Sequence, residues 1–388
     1  MIISKILRSI KGELLLIKQA IKYKGSLKRK LKFLQFEHYV QKRGVISFRV
    51  DRVADLYTKD YFDFKGTTKE QKKWAYSHGF SSYKMAPWYG ITTENYKDFL
   101  SDYDFYLRKN FITHRELVAW FDNKLNTYYL LSPFKDSLPR HYYSIMDGRI
   151  MPLDVEKKND GNVDDLVSLI NNKPLAAKAC HGGHGVGFYK FDFDGSKYFV
   201  NGKSSSLEEL KATLRGLDDY IITDYCTPHE KLKDLCGADT FAVLRIIMVF
   251  DKQDGPQLTC AVIRLGCKAA GLTTDHEGTI YCGLTLDEGK FFNPLYRVAD
   301  NRYDPIETHP DTKKPIAGFV LPNYSKLKEL VFEVSRYLPM TPYLVMDIVP
   351  TQEGFAILEI NSHGQVGNVE PFYPFCANSY NRKVFNIQ

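Results

Sequence analysis

Two apolar runs near the C-terminus, PYLVMDIVP and FAILEINS, are separated only by a polar turn at Gln352–Gly354. A connection that short makes them adjacent antiparallel strands. Both are apolar except for Asp347 in the first and Glu359 and Asn361 in the second. Strand side chains alternate between faces, so Glu359 and Asn361, two apart, share one, and Asp347 can stand beside them across the ladder. Burying acidic and amide groups in an apolar sheet is costly without a partner. A hard divalent cation such as Mg²⁺, which takes oxygen ligands, would satisfy all three. Ordinary hydrogen bonding near a sheet edge would satisfy any one of them.

A second constraint lies upstream in KACHGGHGVGFYKF, residues 178–191, where Gly182, Gly183, Gly185 and Gly187 fall within six positions. Without Cβ atoms the chain there can take positive φ and let another molecule reach its N–H groups. It is not a P-loop, because no Gly-Lys-Ser/Thr occurs. Nor is it a dinucleotide fingerprint, because Lys190 stands where the third glycine belongs. Phe191 and Phe193 alternate with Asp192 and Asp194 before Gly195, which reads as a strand. The loop therefore joins strand to strand. It is either a plain hairpin loop or a flap whose amides fold over phosphates.

The rest of the chain frames these features. Helix-like stretches (NYKDFLSDYDFYLRKNF, THRELVAWFDNKL) fill residues 44–135; from about 140 short strands dominate: RIMPL, PLAAKAC, GFYKFDF, YIITDY, FAVLRIIMVF and LTCAVIRLG. Helices are predicted at SLEELKATLRGL and SKLKELVFEVSRYL, and a long polar loop over 268–315. The fold class is α+β. Arg245 and Arg264 sit within two of the apolar strands. A guanidinium there needs an anion: a phosphate or acyl phosphate, or Asp347 or Glu359 themselves.

The net charge of +7 is carried by the N-terminus, where residues 1–43 hold twelve Lys/Arg against Glu13 and Glu37. The remainder is slightly acidic, which argues against a nucleic-acid-binding core. Ile3, Leu7, Ile10, Leu14, Ile17 and Ile21 recur at helical spacing. Lysines and an arginine interrupt them, so the segment cannot span a bilayer and does not read as a cleaved signal. It either docks on protein or lies on an anionic inner leaflet. Seven cysteines with no C-x-x-C pair fit a reducing cytoplasm.

Lys178, the glycine loop, IITDY, arginines on successive strands and D…E-x-N, in that order, resemble the ATP-grasp superfamily. More narrowly, TPHEKLKDLCGADTFAVLRIIMVF, VIRLG, HPDTKKP and MDIVPTQEGFAILEIN look like the sugar-transfer-associated and teichuronopeptide-biosynthesis ATP-grasp proteins, over about residues 120–370. The resemblance implies an ATP-grasp fold, two α+β subdomains gripping ATP behind an N-terminal helical region. Its boundaries would be a basic helical segment 1–43, a pre-grasp region 44–139, a small subdomain 140–226 and a large one 227–388. It implies that Lys178 holds the α-phosphate and that the Gly182–Gly187 amides cover the β- and γ-phosphates. It implies too that the backbone of Asp224, Tyr225 and Cys226 reads adenine and that Glu230 meets the ribose. Asp347, Glu359 and Asn361 would bind Mg²⁺, with Arg245 and Arg264 on the reacting phosphoryl group. Asn123-Lys124 matches the [DN]-K that opens the grasp region, whereas Tyr128 stands where many relatives carry a second phosphate-binding lysine.

The implied reaction is ADP-forming ligation of a carboxylate to an amine through an acyl phosphate. Its implied setting is amidation of a uronic-acid-containing surface polysaccharide or its precursor. A phosphotransferase acting on a glycan hydroxyl and a non-catalytic nucleotide-binding scaffold are the alternatives. His181 and His184 are expected to be solvent-exposed flap residues. His276 and His309, in the polar loop, are expected either near an acceptor entrance or as plain surface histidines.

Overall fold

The computed structural model describes the chain apart from residues 1–22, 45–46, 109–111, 122, 155, 157–158, 182–184, 238–239, 272–275, 299–301 and 388. The N-terminal isoleucine and leucine stripe, Gly182, Gly183 and His184 therefore lie outside the described residues. The chain divides into two compact units, one of Met1–Ile112, Val298–Asp304 and Gln365–Gln388, the other of Thr113–Arg297 and Pro305–Gly364.

In the first unit, helix Leu27–Lys42 starts at Ser26, whose side chain accepts from the Arg29 N–H. Phe33, Phe36 and Val40 on one face pack with Val50, Val53, Ala54 and Tyr57 of helix Ser47–Asp63. Further along, Lys84 is buried between Asp102 (3.3 Å) and Glu370 (3.1 Å). Glu370 also accepts from the Tyr89 hydroxyl at 2.5 Å and the Leu100 N–H at 2.6 Å. Burial pushes the Glu370 carboxyl up and opposes the Lys84 charge, and the pairing with Asp102 and Glu370 holds Lys84 protonated.

The second unit contains the first sheet and, apart from Tyr303 and Asp304, the strands of the second. The first is built from β1 (His141–Met146), β2 (Arg149–Pro152), β3 (Leu175–Ala179), β4 (Tyr189–Phe193), β5 (Tyr198–Val200), β6 (Lys203–Ser205) and β7 (Tyr220–Asp224). Its strand order is β2-β1-β7-β3-β4-β5-β6. Helices Val163–Ile170 and Leu207–Arg215, each opened by a capping box, cover one face through Leu166, Ile170, Leu210 and Leu214. The opposite face carries Lys178, which stands opposite Ile221 of β7.

The second sheet comprises β8 (Ala242–Asp251), β9 (Gly255–Leu265), β10 (Ile280–Leu284), β11 (Phe291–Arg297), β12 (Tyr303–Pro305), β13 (Tyr343–Pro350) and β14 (Phe355–Asn361). They run in the order β12-β11-β10-β9-β8-β13-β14. Helix Tyr324–Tyr337 covers one face, with Leu327, Val331 and Val334 against Leu244, Ile246, Met248 and Ile263. Alternation then sends Arg245, Arg264, Asp347 and Glu359 to the other face. The chain is α+β, as the strand and helix patterning requires. The predicted polar loop over 268–315 is corrected: it contains β10 and β11, whose short runs are broken by Gly283 and Pro294 and so lose their period-2 signature.

Candidate active site

The β13–β14 hairpin sets Asp347 directly opposite Glu359 and Val345 opposite Asn361. On the other side of β13, Asp347 faces Arg245 of β8, and Arg264 lies on β9 opposite Val243. Four polar side chains from four strands thus share one face. Arg245 grips Asp347 with a two-pronged contact, Nε to Oδ1 and Nη2 to Oδ2, both 3.0 Å. Arg264 adds Nη2 to Oδ2, also at 3.0 Å. Arg264 and Asp347 are buried. Burial alone would raise the Asp347 carboxyl, but the two guanidiniums overcome it and hold the group well below the usual carboxylate range. Of the anions left open for the arginines, Asp347 is the one they meet.

Glu359 is the second centre. Its Oε1 accepts from the Asn361 amide at 3.3 Å, and its Oε2 lies 3.6 Å from Lys124 Nζ. Lys124 begins helix Lys124–Leu130, whose N-cap Asn123 accepts from the Leu125 N–H at 2.8 Å. The Lys124 N–H donates to the Cys180 carbonyl at 2.9 Å, so this helix is pinned to the end of β3. Half-buried Lys178, on β3, feels the same surroundings. Burial pushes its ammonium down from the usual range, Cys226 and Glu359 oppose that shift, and Lys124 adds to it. Lys124, Lys178, Glu359 and Asn361 therefore form one group, beside the Arg245–Asp347–Arg264 trio.

Glu359 and Asn361 offer oxygen donors of the kind a hard divalent cation takes. Asn361 donates its amide N–H to Glu359 Oε1, a contact that does not use its amide oxygen, whereas both oxygens of the third candidate, Asp347, meet guanidiniums. Among the described residues no cluster of three His, Cys, Asp or Glu side chains exists. A mixed carboxylate–amide set is accordingly the donor set on offer.

Other predicted positions are differently occupied. The Asp224 carboxylate accepts from the Tyr142 hydroxyl (2.8 Å) and pairs with Lys173 (3.0 Å). Its N–H and that of Tyr225 donate to the Arg140 and Pro174 carbonyls. Lys190 lies over the Tyr225 ring, 4.6 Å from its centroid. Glu230 is exposed and paired with Lys233 of its own helix at 2.7 Å. Gly185 and Gly187 both adopt positive φ, and a Cβ on Gly187 would meet the Tyr220 hydroxyl at 2.6 Å. Glycine is required there by both strain and space. A cavity of about 590 Å³ borders Asp224–Thr227, with Arg140, Lys173, Lys326 and Glu353 in its wall; Lys178 and Glu359 are not among its lining residues.

Of the histidines, His181 is solvent-exposed as expected, and it also donates through Nδ1 to the Asp219 carboxylate at 2.7 Å while its Nε2 meets the Asn123 amide at 3.2 Å. Asp219 is held in the left-handed region (φ 58) to make that contact. His309, expected at an entrance or on the surface, is fully buried, with Nε2 on the Gly266 carbonyl at 3.0 Å. The loop it anchors needs a polar side chain inside, which composition alone does not reveal. His141 went unnoticed in the sequence. Burial first, then the Lys178 charge, pushes its imidazole down to about 4, and its ring packs 4.8 Å from Tyr128. A neutral aromatic pair thus occupies the neighbourhood of the departure at Tyr128.

Comparison with known proteins follows from this geometry. A family model described as sugar-transfer associated ATP-grasp matches residues 104–370. No curated protein matches the chain. Among solved structures, D-alanine--D-alanine ligase from Bacillus anthracis is similar at 15% identity over 69% of this chain and 66% of its own, with a TM-score of 0.36. The same ligase complexed with ATP gives 14%, 69%, 64% and 0.34. N5-carboxyaminoimidazole ribonucleotide synthetase from Thermotoga maritima gives 12%, 64%, 42% and 0.28. The chain spans less than two thirds of the length of each of these structures. At such identities and TM-scores, the family match alone carries the assignment. Matching well over half of the sequence, it makes the chain a member of the sugar-transfer associated ATP-grasp family.

Proposed function

We propose that the chain is an ATP-dependent carboxylate–amine ligase that works through an acyl phosphate. The observation that carries this reading is that Lys124 of a helix and Lys178 of the first sheet meet Glu359 and Asn361, on the same face of the second sheet as the Arg245–Asp347–Arg264 trio. Two lysines and two arginines against two carboxylates leave a surplus of positive charge, which suits a polyphosphate. Lys178 binds the α-phosphate, and the amides of the glycine flap close over the β- and γ-phosphates. Such N–H groups neutralise charge while excluding water. Asp347, Glu359 and Asn361 would hold Mg²⁺. That ion, when bound, offsets charge on the phosphate oxygens during transfer.

In the first step a substrate carboxylate oxygen attacks the γ-phosphorus, and the bond to the β-bridging oxygen breaks to release ADP. In the second, an amine attacks the acyl carbon, phosphate leaves with the bonding pair, and the amine loses a proton. Arg245 and Arg264 bind the anionic acyl phosphate between the steps. On this reading the carboxylate is a uronic acid of a surface polysaccharide or its precursor, a choice supported only by the sugar-transfer wording of the family description.

The test supplies enzyme, Mg²⁺, ATP and hydroxylamine with a panel of uronic-acid glycosides, amino acids and small carboxylates. ADP together with a hydroxamate is the expected result. ADP with a stable phosphoester would establish a glycan kinase instead, and nucleotide binding without turnover on any acceptor would establish a scaffold.

A further inference from the structure

Helix Leu27–Lys42 has two apolar faces but buries only one. Phe33, Phe36 and Val40 are inside the first unit, whereas Leu27 and Leu31 are 73% and 55% exposed on the opposite side. Leu34, half-buried, packs against the core, so the exposed stripe is Leu27 and Leu31, one turn apart. A soluble helix normally presents polar residues there, so exposed leucines in register mark a surface that meets something apolar.

The charges bordering this stripe identify the partner. Lys24 and Lys28 are exposed beside it. Of the other basic groups of the helix, Arg29 pairs with Asp63, Lys32 sits 4.2 Å over the Tyr61 ring, and Lys42 is exposed at the C-terminal end. Between Leu27 and Lys42 the sole acidic residue is Glu37, which is fully buried. The exposed face is therefore apolar and cationic with no carboxylate on it. A protein partner would need matching apolar and acidic groups in one geometry, whereas an anionic bilayer supplies both to any approach angle. Among the described residues no helix is long and apolar enough to cross a membrane, so the contact would be in the plane of the interface.

We propose that Leu27 and Leu31, flanked by Lys24 and Lys28, form a docking face for an anionic membrane surface. The leucines enter the headgroup boundary and the lysines meet lipid phosphates. This holds or fails independently of the reaction catalysed.

The experiment uses the full chain with phosphatidylcholine vesicles, alone and with an equal share of phosphatidylglycerol, followed by co-sedimentation. Binding is expected only with phosphatidylglycerol. It should weaken with salt, each basic residue near the surface being worth about five-fold in partitioning. Leu27→Glu/Leu31→Glu should lower partitioning at least ten-fold, and circular dichroism should be unchanged because both side chains are exposed. As a second readout, Leu27→Trp should show a blue-shifted emission change on the anionic vesicles that is absent in its unbound spectrum. Equal binding to neutral vesicles, or wild-type binding by the double-glutamate variant with no Trp shift, would overturn the proposal. So would a self-association that is lost in that variant without vesicle binding, since the face would then join two copies.

Discussion

Replacing Asp347 by asparagine tests the central charge arrangement without any knowledge of the substrate. Asp347 is 5% exposed and Arg264 is 3% exposed, and one carboxylate serves two guanidiniums through three contacts of 3.0 Å. Asparagine keeps the shape but removes the charge on which both guanidiniums converge. Removing one partner of a buried ion pair costs about 3–5 kcal/mol, because the remaining charge stays desolvated. Losing the shared partner of two arginines belongs at the upper end of that range. Arg264→Met is milder, since Asp347 keeps both prongs of Arg245. A loss of about 1.5–3 kcal/mol is expected, the worth of a charged hydrogen bond. In Asp347→Asn/Arg264→Met one of the two guanidiniums that converge on position 347 is gone as well, so the double variant should be more stable than the sum of the singles by about 1–3 kcal/mol.

Urea unfolding at pH 7 without nucleotide, followed by far-ultraviolet circular dichroism, measures all four proteins. The reasoning is refuted if Asp347→Asn costs less than about 1 kcal/mol, or if the two single losses simply add.

Lys178→Ala should weaken ATP binding about ten-fold or more, read by calorimetry, since a charged hydrogen bond to phosphate is lost. Glu359→Gln should abolish turnover while the fold and unfolding midpoint survive; near-normal turnover would remove Glu359 from the metal site. Lys84→Met strands Asp102 and Glu370 together in the first unit and should destabilise it by about 3–5 kcal/mol, with Glu370→Gln added on top restoring part of the loss. Glu37 has neither oxygen hydrogen-bonded among the described residues, and burial, with Asp51 adding, pushes its carboxyl up from 4.5 to about 8. The folded state therefore holds a proton between those values that the unfolded state has released, so stability falls as pH rises from 4.5 to 8, by at most about 1.4 kcal/mol per pH unit. Glu37→Gln should flatten that slope in thermal melts across the interval.

The hairpin was legible because its signal is local: a short turn fixes the pairing, and three polar residues stand out in apolar strands. The same holds for Lys178 ahead of the glycines, and for helices Leu207–Arg215 and Tyr324–Tyr337, whose apolar stripes are regular. Partner choice was not legible. Asp347 lies about a hundred residues from Arg245 in sequence, and only the β8–β13 pairing brings them face to face. Lys84 meets Glu370 across 286 residues, with no periodic pattern to announce it. The exposure of His181 was legible, but its partners Asp219 and Asn123, which lie in separate connections, were not. Buried polar pairs of this kind depend on tertiary placement, to which composition and periodicity are blind.

The charge distribution also bears on how a site without the second lysine would work. At the Tyr128 position a neutral phenol packs against His141, whose imidazole is uncharged at neutral pH. Near the start of β1 stand Arg140, over the Tyr142 ring, and Lys178, whose ammonium burial pushes down from its usual range. On the second sheet two arginines share one carboxylate. An anion arriving at such a site would meet Lys178 at the first sheet. It would gain most where its terminal oxygens approached Arg245 and Arg264, the more so because both are in low-dielectric surroundings. Asp347 keeps those guanidiniums aligned in the meantime, so that their orientation does not have to be reorganised when charge develops. On the proposed reading, this shifts discrimination from the root of the triphosphate to its tip, where the acyl phosphate forms.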